Sequence, residues 1–354
     1  MPCDQENWPS NKHLSPMRKF LFLFLLLALG AHAEPRRYAV RVKDKTGFVD
    51  ESGKMVIPAQ FRWVYGFREG VAPVQLNGKF GYIDPTGKFV IPPRYEHAYE
   101  FSEGLAVVHL GKGMGAIDHR GKLVIPNIYA DLGSCHSGRL SFRPRDGSQY
   151  PPYGYLDKTG KVVIPATLKV GGNFCDGLAL VADDKKELFI DPSGRTVIDI
   201  QKARLHTSES FFSEGLSPIL HGEKNLTGFM DKGGHVRIPG IFQRTFGFRH
   251  GLAAVQLKEK WGFIDPNGKM VIPAIYEFAT WFGESGLAPV ALKPHSHIYI
   301  DRHGKQAVPG NFYSAGEFTN GRALVMDANQ WMSLIDTKGK VYWKGKLELP
   351  PAKP

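Results

Sequence analysis

One short phrase recurs nine times along this chain: an apolar residue, an aspartate, two variable residues and a glycine. The aspartates are Asp50, Asp84, Asp118, Asp157, Asp191, Asp231, Asp265, Asp301 and Asp336. They follow one another at intervals of 34, 34, 39, 34, 40, 34, 36 and 35 residues. Such a nearly fixed period is typical of a repeat array, in which each unit is one supersecondary element and adjacent units share a core.

Each unit has the pattern of several short strands. From Arg94 to Pro126, segments of four to seven residues are rich in β-branched or aromatic residues and are separated by turn residues. This spacing is typical of strands, and no stretch has a convincing helical period. We therefore predict an all-β fold of about nine antiparallel β-meander repeats, each of about 34 residues.

The repeated aspartate and glycine fit a tight turn. An aspartate at the first position of a type I turn accepts hydrogen bonds from the following backbone, and glycine at the fourth position accepts a positive φ. Pro85, Pro192 and Pro266 stand at the second position, where their fixed φ is suitable. This pattern favours a structural role for the nine aspartates over metal binding or acid catalysis.

The residues around the turn indicate that sheets pack against sheets. An apolar residue precedes every repeated aspartate, and the residue before it is aromatic in seven repeats, as in Tyr82-Ile83. Adjacent residues of a strand point to opposite faces, so both faces of this strand are predicted to be buried. Proline stands eight residues after the aspartate in seven repeats, where it ends a strand or marks an edge strand.

The segment from Lys260 to Pro273 resembles the bacterial WG-repeat family. Its continuation, 275–277, and the Phe-x-x-Gly-Leu-Ala phrase that begins at Phe101 resemble the same family, and the resemblance covers nearly all of residues 38–343. Only Trp261-Gly262 keeps the Trp-Gly pair, and the repeats at Asp191, Asp301 and Asp336 lack that glycine. The resemblance implies a repeat scaffold and says little about activity.

The arrangement of the units has two alternatives. Four-stranded meanders repeated radially make a propeller, and nine units lie close to the usual range. An open β-superhelix, or solenoid, needs no closure, and the short repeat is compatible with it. We favour a propeller-like toroid and keep the open superhelix as the alternative.

The first 33 residues have the pattern of a signal peptide with a non-native extension upstream of Met17. Arg18 and Lys19 precede an apolar run at 20–30, and a small-x-small cleavage pattern ends at Ala33. The predicted domains are this segment (1–33), the repeat array (34–347) and a Pro-rich tail (348–354). We therefore expect export to the periplasm or the extracellular space, with no stable membrane span after cleavage.

The formal net charge of +11 predicts that an exported chain adheres weakly to anionic surfaces, although solubility is the favoured interpretation of this charge. We expect a protein or an envelope polymer, and not nucleic acid, which is a poor partner for an exported chain. A cation follows the turn glycine in eight repeats: Lys54, Lys88, Lys122, Lys161, Arg195, Lys269, Lys305 and Lys340. If the units close or stack, these cations line one rim that could bind an acidic polymer; the favoured interpretation is that they protect strand edges from aggregation.

Two insertions interrupt the regular spacing, one between Gly138 and Asp157 and one around 199–211. Insertions in repeat proteins fall in loops, which often bind ligands. The first supplies weak binding candidates for an anionic or sugar ligand, although a tolerated surface loop is the favoured interpretation. These candidates are Arg143, Arg145, Tyr150 and Tyr153.

Histidine and cysteine offer two further possibilities. The pattern at 295–297 predicts two imidazoles on one side of a strand, with His303 across a turn; solvated histidines are favoured over a metal site. Cys135 and Cys175 stand at nearly the same position of neighbouring repeats, and two buried free thiols are favoured over a bridge between them.

The sequence contains no nucleophile elbow, metalloprotease helix motif or phosphate-binding loop. We accordingly assign no catalytic residue, metal or cofactor and predict that the protein is not an enzyme. The favoured function is an exported, non-catalytic binding or scaffold protein. The alternatives are an exported hydrolase or carbohydrate-active protein, with a site in the inserted loops or a central channel, and a cell-surface spacer.

Overall fold

The computed structural model describes residues 36–203, 205–206, 211–221 and 226–346. In this part of the chain 32 strands form nine small antiparallel sheets that follow one another in sequence, and no helix is present. We call the sheets blades 1 to 9. The all-β prediction is confirmed; the predicted signal peptide and Pro-rich tail lie outside the described residues.

The blades are simple meanders. Blades 1 to 3 contain β1 (Tyr38–Val42), β2 (Lys45–Val49), β3 (Met55–Phe61), β4 (Ala72–Leu76), β5 (Lys79–Ile83), β6 (Phe89–Tyr95), β7 (His97–Ala98), β8 (Ala106–Leu110), β9 (Gly113–Ile117) and β10 (Leu123–Tyr129). Blades 4 and 5 contain β11 (Asp131–Leu132), β12 (Arg139–Arg143), β13 (Tyr153–Asp157), β14 (Val162–Leu168), β15 (Val170–Gly171), β16 (Ala179–Ala182), β17 (Glu187–Ile190) and β18 (Thr196–Asp199). Blades 6 and 7 contain β19 (Leu216–His221), β20 (Leu226–Asp231), β21 (Val236–Phe242), β22 (Arg244–Thr245), β23 (Ala253–Leu257), β24 (Lys260–Ile264) and β25 (Met270–Tyr276). Blades 8 and 9 contain β26 (Phe278–Ala279), β27 (Ala288–Lys293), β28 (Ser296–Ile300), β29 (Ser314–Ala315), β30 (Arg322–Met326), β31 (Trp331–Asp336) and β32 (Val341–Lys346).

A complete blade has four strands, which we name a, b, c and d in chain order. Strand a has two residues, and strands a and d form the two edges of the sheet. In blades 2 and 6 strand a is reduced to a single bridge, Val64 to Val74 and His206 to Leu220. Blade 1 has only strands b, c and d within the described residues.

The Asp-x-x-Gly turns follow strand c and lead into strand d, which in blade 8 is reduced to a single bridge from Ile300 to Gln306. In all nine turns the glycine N–H donates to the aspartate carbonyl over 2.8–3.0 Å. The aspartate Oδ1 accepts the N–H groups two and four residues later, over 2.8–3.1 Å. The structural interpretation of the nine aspartates is confirmed.

The glycine of the Trp-Gly pair is required by a bulge in strand d. In blade 7 Phe263 pairs with Ile272 and Trp261 pairs with Tyr276, so strand d carries two extra residues past Gly262. A Cβ atom on Gly262 would lie 2.5 Å from the Ile272 carbonyl oxygen. Strand d therefore passes too close for any side chain.

Blades without this glycine pair differently. In blade 5 Leu188 and Phe189 face two successive residues of strand d, and in blade 9 Ser333 and Leu334 do the same. The bulge is absent at this position, so a side chain fits. This explains why the repeats at Asp191 and Asp336 depart from the family pattern.

Both faces of each central strand are buried against neighbouring blades, as predicted. Ile83 of blade 2 packs with Phe48 and Ile57 of blade 1, whereas Tyr82 packs with Phe101 of blade 3. Seven interfaces contain an aromatic pair with ring centroids 4.7–5.2 Å apart: Phe48–Phe67, Tyr82–Phe101, Tyr155–Phe174, Phe189–Phe212, Phe229–Phe248, Phe263–Phe282 and Tyr299–Phe318. Such pairs stabilise a core beyond simple burial.

Blade 9 packs against blade 1 and closes the ring. Tyr38, Val40 and Val49 of blade 1 share a buried cluster with Leu334 of blade 9. The Tyr38 hydroxyl donates to the Asn320 carbonyl over 2.8 Å. The molecule is thus a nine-bladed propeller, which confirms the favoured toroid and excludes the open superhelix.

The meander topology gives the ring two distinct faces. We call the side with the Asp-x-x-Gly turns the turn face; the turns between strands a and b lie there too. The hairpins between strands b and c, and the links from one blade to the next, lie on the opposite side, which we call the hairpin face. Any inserted b–c hairpin therefore projects from the hairpin face.

Candidate functional site

The eight cations that follow the turn glycines are all exposed, and the topology places them on the turn face. The same turns also carry nine aspartates. Hydrogen bonds, of which the one from the Thr159 side chain contributes most, hold the pKa of Asp157 below its ordinary value. In another turn, Arg195 forms an ion pair with Asp191 over 3.1 Å. The turn face is therefore of mixed charge.

The inserted hairpin of blade 4 brings the four candidate residues together but uses them differently. Arg143 Nε donates to the Pro151 carbonyl over 2.7 Å, and its guanidinium lies 4.8 Å from the centroid of the Tyr153 ring. Arg145 Nη1 donates to the Lys112 carbonyl of blade 3. These three residues hold the loop in place, whereas Tyr150 is 77% exposed.

The histidines do not converge. His295 lies in the hairpin before β28, not on the strand as predicted, and stacks on Tyr313 with centroids 4.2 Å apart. His297 Nδ1 lies 3.0 Å from the Tyr313 carbonyl oxygen, and His303 belongs to a turn on the opposite face. Within the described residues no group of three or more potential ligands is placed to hold a metal ion.

The two cysteines behave differently. Cys135 occupies the position that phenylalanine holds in most blades, and it is a free, buried thiol. Burial, with the nearby Glu103 carboxylate, raises the pKa of the Cys135 thiol to about 12, so it is not a nucleophile at neutral pH. Cys175 is disulfide-bonded, so the expectation of a second free thiol is wrong; no bridge joins it to Cys135.

An aromatic–arginine cluster between blades 7 and 8 was not anticipated from the sequence. Phe246 stacks on Trp261 with centroids 5.2 Å apart and lies 5.0 Å from Trp281. Phe278 lies 5.7 Å from Trp261, and the Arg244 guanidinium lies 5.9 Å from the same ring. The cluster consists of five residues: Arg244, Phe246, Trp261, Phe278 and Trp281.

The sequence shows no single motif for this cluster, because its residues come from three separate strands. Arg244 and Phe246 come from the strand a region of blade 7, Trp261 from strand c, and Phe278 and Trp281 from the start of blade 8. Strand a of each blade lies against strand c of the preceding blade, and this offset brings them together. The available signal was the unique Trp-Gly pair at Trp261.

Blades 2 and 3 carry a second aromatic cluster at the equivalent position. Phe80 takes the place of Trp261 and lies 5.0 Å from His97, which in turn lies 4.7 Å from Tyr99. Tyr65 completes the group, 6.3 Å from Phe80. Burial lowers the pKa of His97, which keeps the imidazole neutral near pH 7.

The fold and repeat define a class: ring-shaped β-repeat proteins with packed blades. The family model for the WG containing repeat matches residues 47–80, 80–112, 153–186, 228–261, 261–293 and 299–331. These segments cover more than half of the chain, so the protein belongs to the WG-repeat family. The resemblance seen in the sequence is confirmed.

Several solved structures are similar to this chain at low sequence identity, and the first of the three below shares the fold. A eukaryotic initiation factor is 10% identical, with 89% of this chain and 96% of that chain covered and a TM-score of 0.61. The computationally designed Ika8 protein is 12% identical, with 71% of this chain and 86% of that chain covered and a TM-score of 0.44. Apo AztD from Citrobacter koseri is 11% identical, with 88% of this chain and 94% of that chain covered and a TM-score of 0.42. The comparison with curated proteins gave no match.

Among the described residues, no helix has both the length and the apolar character needed to cross a bilayer.

Proposed function

We propose that this protein is an exported, non-catalytic binding scaffold that captures a protein or an envelope polymer on its hairpin face. The WG-repeat ring supports the scaffold part, since such rings present loops from a rigid framework. The basic composition supports an anionic partner, because a net charge of +11 raises the local concentration of anions.

The observation that carries the proposal is the anchored hairpin of blade 4. Arg143 and Arg145 fix the loop to its own blade and to blade 3, while Tyr150 is the most exposed large hydrophobic side chain of the described residues. A loop that is already ordered loses less conformational entropy when it binds. Tyrosine suits such a role because it offers a large, rigid contact area with a polar tip.

The test is capture of partners from envelope extract with the processed protein. Tyr150→Ala should reduce the captured amount about tenfold, as expected for a central aromatic contact, and should leave the melting temperature unchanged. Ile275→Ala is the matched control, since Ile275 is 61% exposed on strand d of blade 7, remote in sequence from the hairpin. Equal capture by Tyr150→Ala and the parent protein would contradict the proposal.

Two further measurements separate this function from the alternatives. The protein should be recovered outside the inner membrane, and N-terminal sequencing should give Glu34 as its first residue; protein that stays inside the cell with an intact leader would contradict export. Screening the mature protein on a broad substrate panel should show no turnover. Turnover abolished by replacing one carboxylate outside the nine turns would instead establish the hydrolase alternative.

A further inference from the structure

We propose that the aromatic–arginine cluster between blades 7 and 8 is a binding site for an anionic sugar unit. It is a separate site from the hairpin of blade 4, and it stands whether or not that hairpin captures a partner. The ring stacks and the free guanidinium together define the chemistry of the ligand.

The offset between blades leaves the cluster open on one side. Strand a of blade 8 lies against strand c of blade 7, and Phe246, just after strand a of blade 7, contacts Phe278 and Trp281 of blade 8 with ring centroids 6.2 and 5.0 Å apart. Arg244 is exposed, Phe278 is 41% exposed, and Phe246 and Trp281 are only partly buried. Trp261, 2% exposed, forms the floor beneath them.

The aromatic rings form a rigid surface. Phe246 stacks on Trp261, with their planes 23° apart and their centroids 5.2 Å apart. Trp281 is inclined by 57° to Phe246 and Phe278 by 89°, so each partly exposed ring presents its own apolar face. Because ring contacts fix these faces, little entropy is left to lose, and the apolar C–H face of a sugar ring can stack on one of them.

Arg244 supplies the charge that selects an anionic sugar. It has no ion pair among the described residues, while the neighbouring acids are already engaged: Gln243 donates to Glu259 over 2.6 Å, and Lys260 donates to Glu277 over 2.5 Å. Its hydrogen-bond donors therefore remain available. A guanidinium binds a carboxylate or phosphate through two parallel hydrogen bonds, which is the geometry that a uronate or a phosphorylated sugar offers.

The equivalent cluster of blades 2 and 3 provides an internal comparison. Tyr65, Phe80, His97 and Tyr99 repeat the aromatic surface, but among the residues that the structure describes no cation–π contact involves any of these rings. The neutral His97 cannot replace the guanidinium. This second cluster should therefore show no preference for anionic sugars.

The experiment is calorimetric titration of the mature protein with tetragalacturonic acid and, separately, with neutral galactotetraose. The parent protein should bind the acidic tetramer at least about tenfold more tightly than the neutral one, the difference expected for a charge-assisted hydrogen bond. Arg244→Gln should abolish that preference. Phe278→Ala should weaken binding of the acidic tetramer about tenfold, and the matched control Tyr99→Ala should leave it unchanged.

Several results would overturn the proposal. Equal affinity for both tetramers would show that Arg244 does not select an anionic sugar. Unchanged affinity in Phe278→Ala would show that the aromatic rings do not bind the sugar. Absence of saturable binding by the folded parent protein, or saturable binding of a single-stranded oligonucleotide in its place, would exclude the sugar. Thermal unfolding of each variant confirms that a loss of affinity does not reflect unfolding.

Discussion

The interface that closes the ring differs from the internal interfaces. At most internal interfaces the glycine of the Asp-x-x-Gly turn faces an isoleucine side chain in strand d of the preceding blade. For example, a Cβ on Gly268 would lie 3.1 Å from the Ile238 side chain. At the closing interface a Cβ on Gly53 would lie 1.8 Å from the backbone oxygen of Tyr342. A side chain can rotate away from a neighbour, but a backbone carbonyl can move only with its strand.

The absence of the strand d bulge in blade 9 accounts for the different contact. Ser333 replaces the Trp-Gly glycine there, and strand d continues past it residue for residue. The Tyr342 backbone therefore meets the first blade where other blades present a side chain. Blade 1 also lacks a described strand a, so the closing interface has fewer strands to cover blade 9. Closure thus depends on a few close contacts.

The strongest way to break the comparison is to remove one internal repeat. Deleting 84–117, one 34-residue period, leaves every turn intact but requires eight interfaces to change their angles for the ring to close. We expect the melting temperature to fall by about 10 °C or more, or folding to fail. A spacer or open stack would instead keep its melting temperature and lose only one repeat's share of the unfolding enthalpy.

The second effect distinguishes the closing glycine from an internal one. Gly53→Ala adds a methyl group against the Tyr342 backbone and forces alanine to φ +83, so we expect a loss of about 3 kcal/mol or more. Gly268→Ala has a similar φ of +81 but faces the Ile238 side chain, so about 1–2 kcal/mol is expected. Urea unfolding measures both, and equal losses would mean that the closing interface is ordinary.

A third pair of variants tests the link between the Trp-Gly glycine and the bulge. Gly262→Ala should cost about 2–3 kcal/mol, because its Cβ would lie 2.5 Å from the Ile272 carbonyl oxygen. Ser333→Ala, at the same position of the unbulged blade 9, should change stability by less than about 0.5 kcal/mol. Equal losses in urea unfolding would show that the bulge does not impose glycine.

Acid should affect the closing turn and an internal turn alike, and this is the smallest effect. In the folded state, hydrogen bonds lower the pKa of Asp50 and of Asp157. The largest contribution comes from the Ser52 side chain at Asp50 and from the Thr159 side chain at Asp157. Each carboxylate therefore stabilises the fold at pH values above its unfolded pKa of about 3.9, and that contribution is lost as the pH falls through the lower folded pKa.

We therefore measure the urea concentration at the unfolding midpoint from pH 7 to pH 2. It should decrease once the pH is below about 4. Asp50→Asn and Asp157→Asn should each flatten this decline slightly and to the same extent. A flatter profile for Asp50→Asn alone would indicate that acid acts mainly on the closing interface.

Local rules predicted the parts of the molecule that depend on neighbouring residues. The Asp84 turn and the burial of Tyr82 and Ile83 on opposite faces follow from turn chemistry and the two-residue period of a strand. The aromatic–arginine cluster did not follow, because Phe246 and Trp281 belong to different blades and meet through the offset between blades. Tyr150 was found as one of four candidates, but its exposure and the anchoring role of Arg143 required the structure.

The most direct test of the closed ring is a pair of distances measured by pulsed electron paramagnetic resonance. Spin labels at Lys54 and Lys340 occupy equivalent, exposed positions of blades 1 and 9, and labels at Lys54 and Lys88 occupy the same positions of blades 1 and 2. A closed nine-bladed ring predicts two similar distances, since each pair spans one interface. A much longer distance for the Lys54–Lys340 pair would contradict closure.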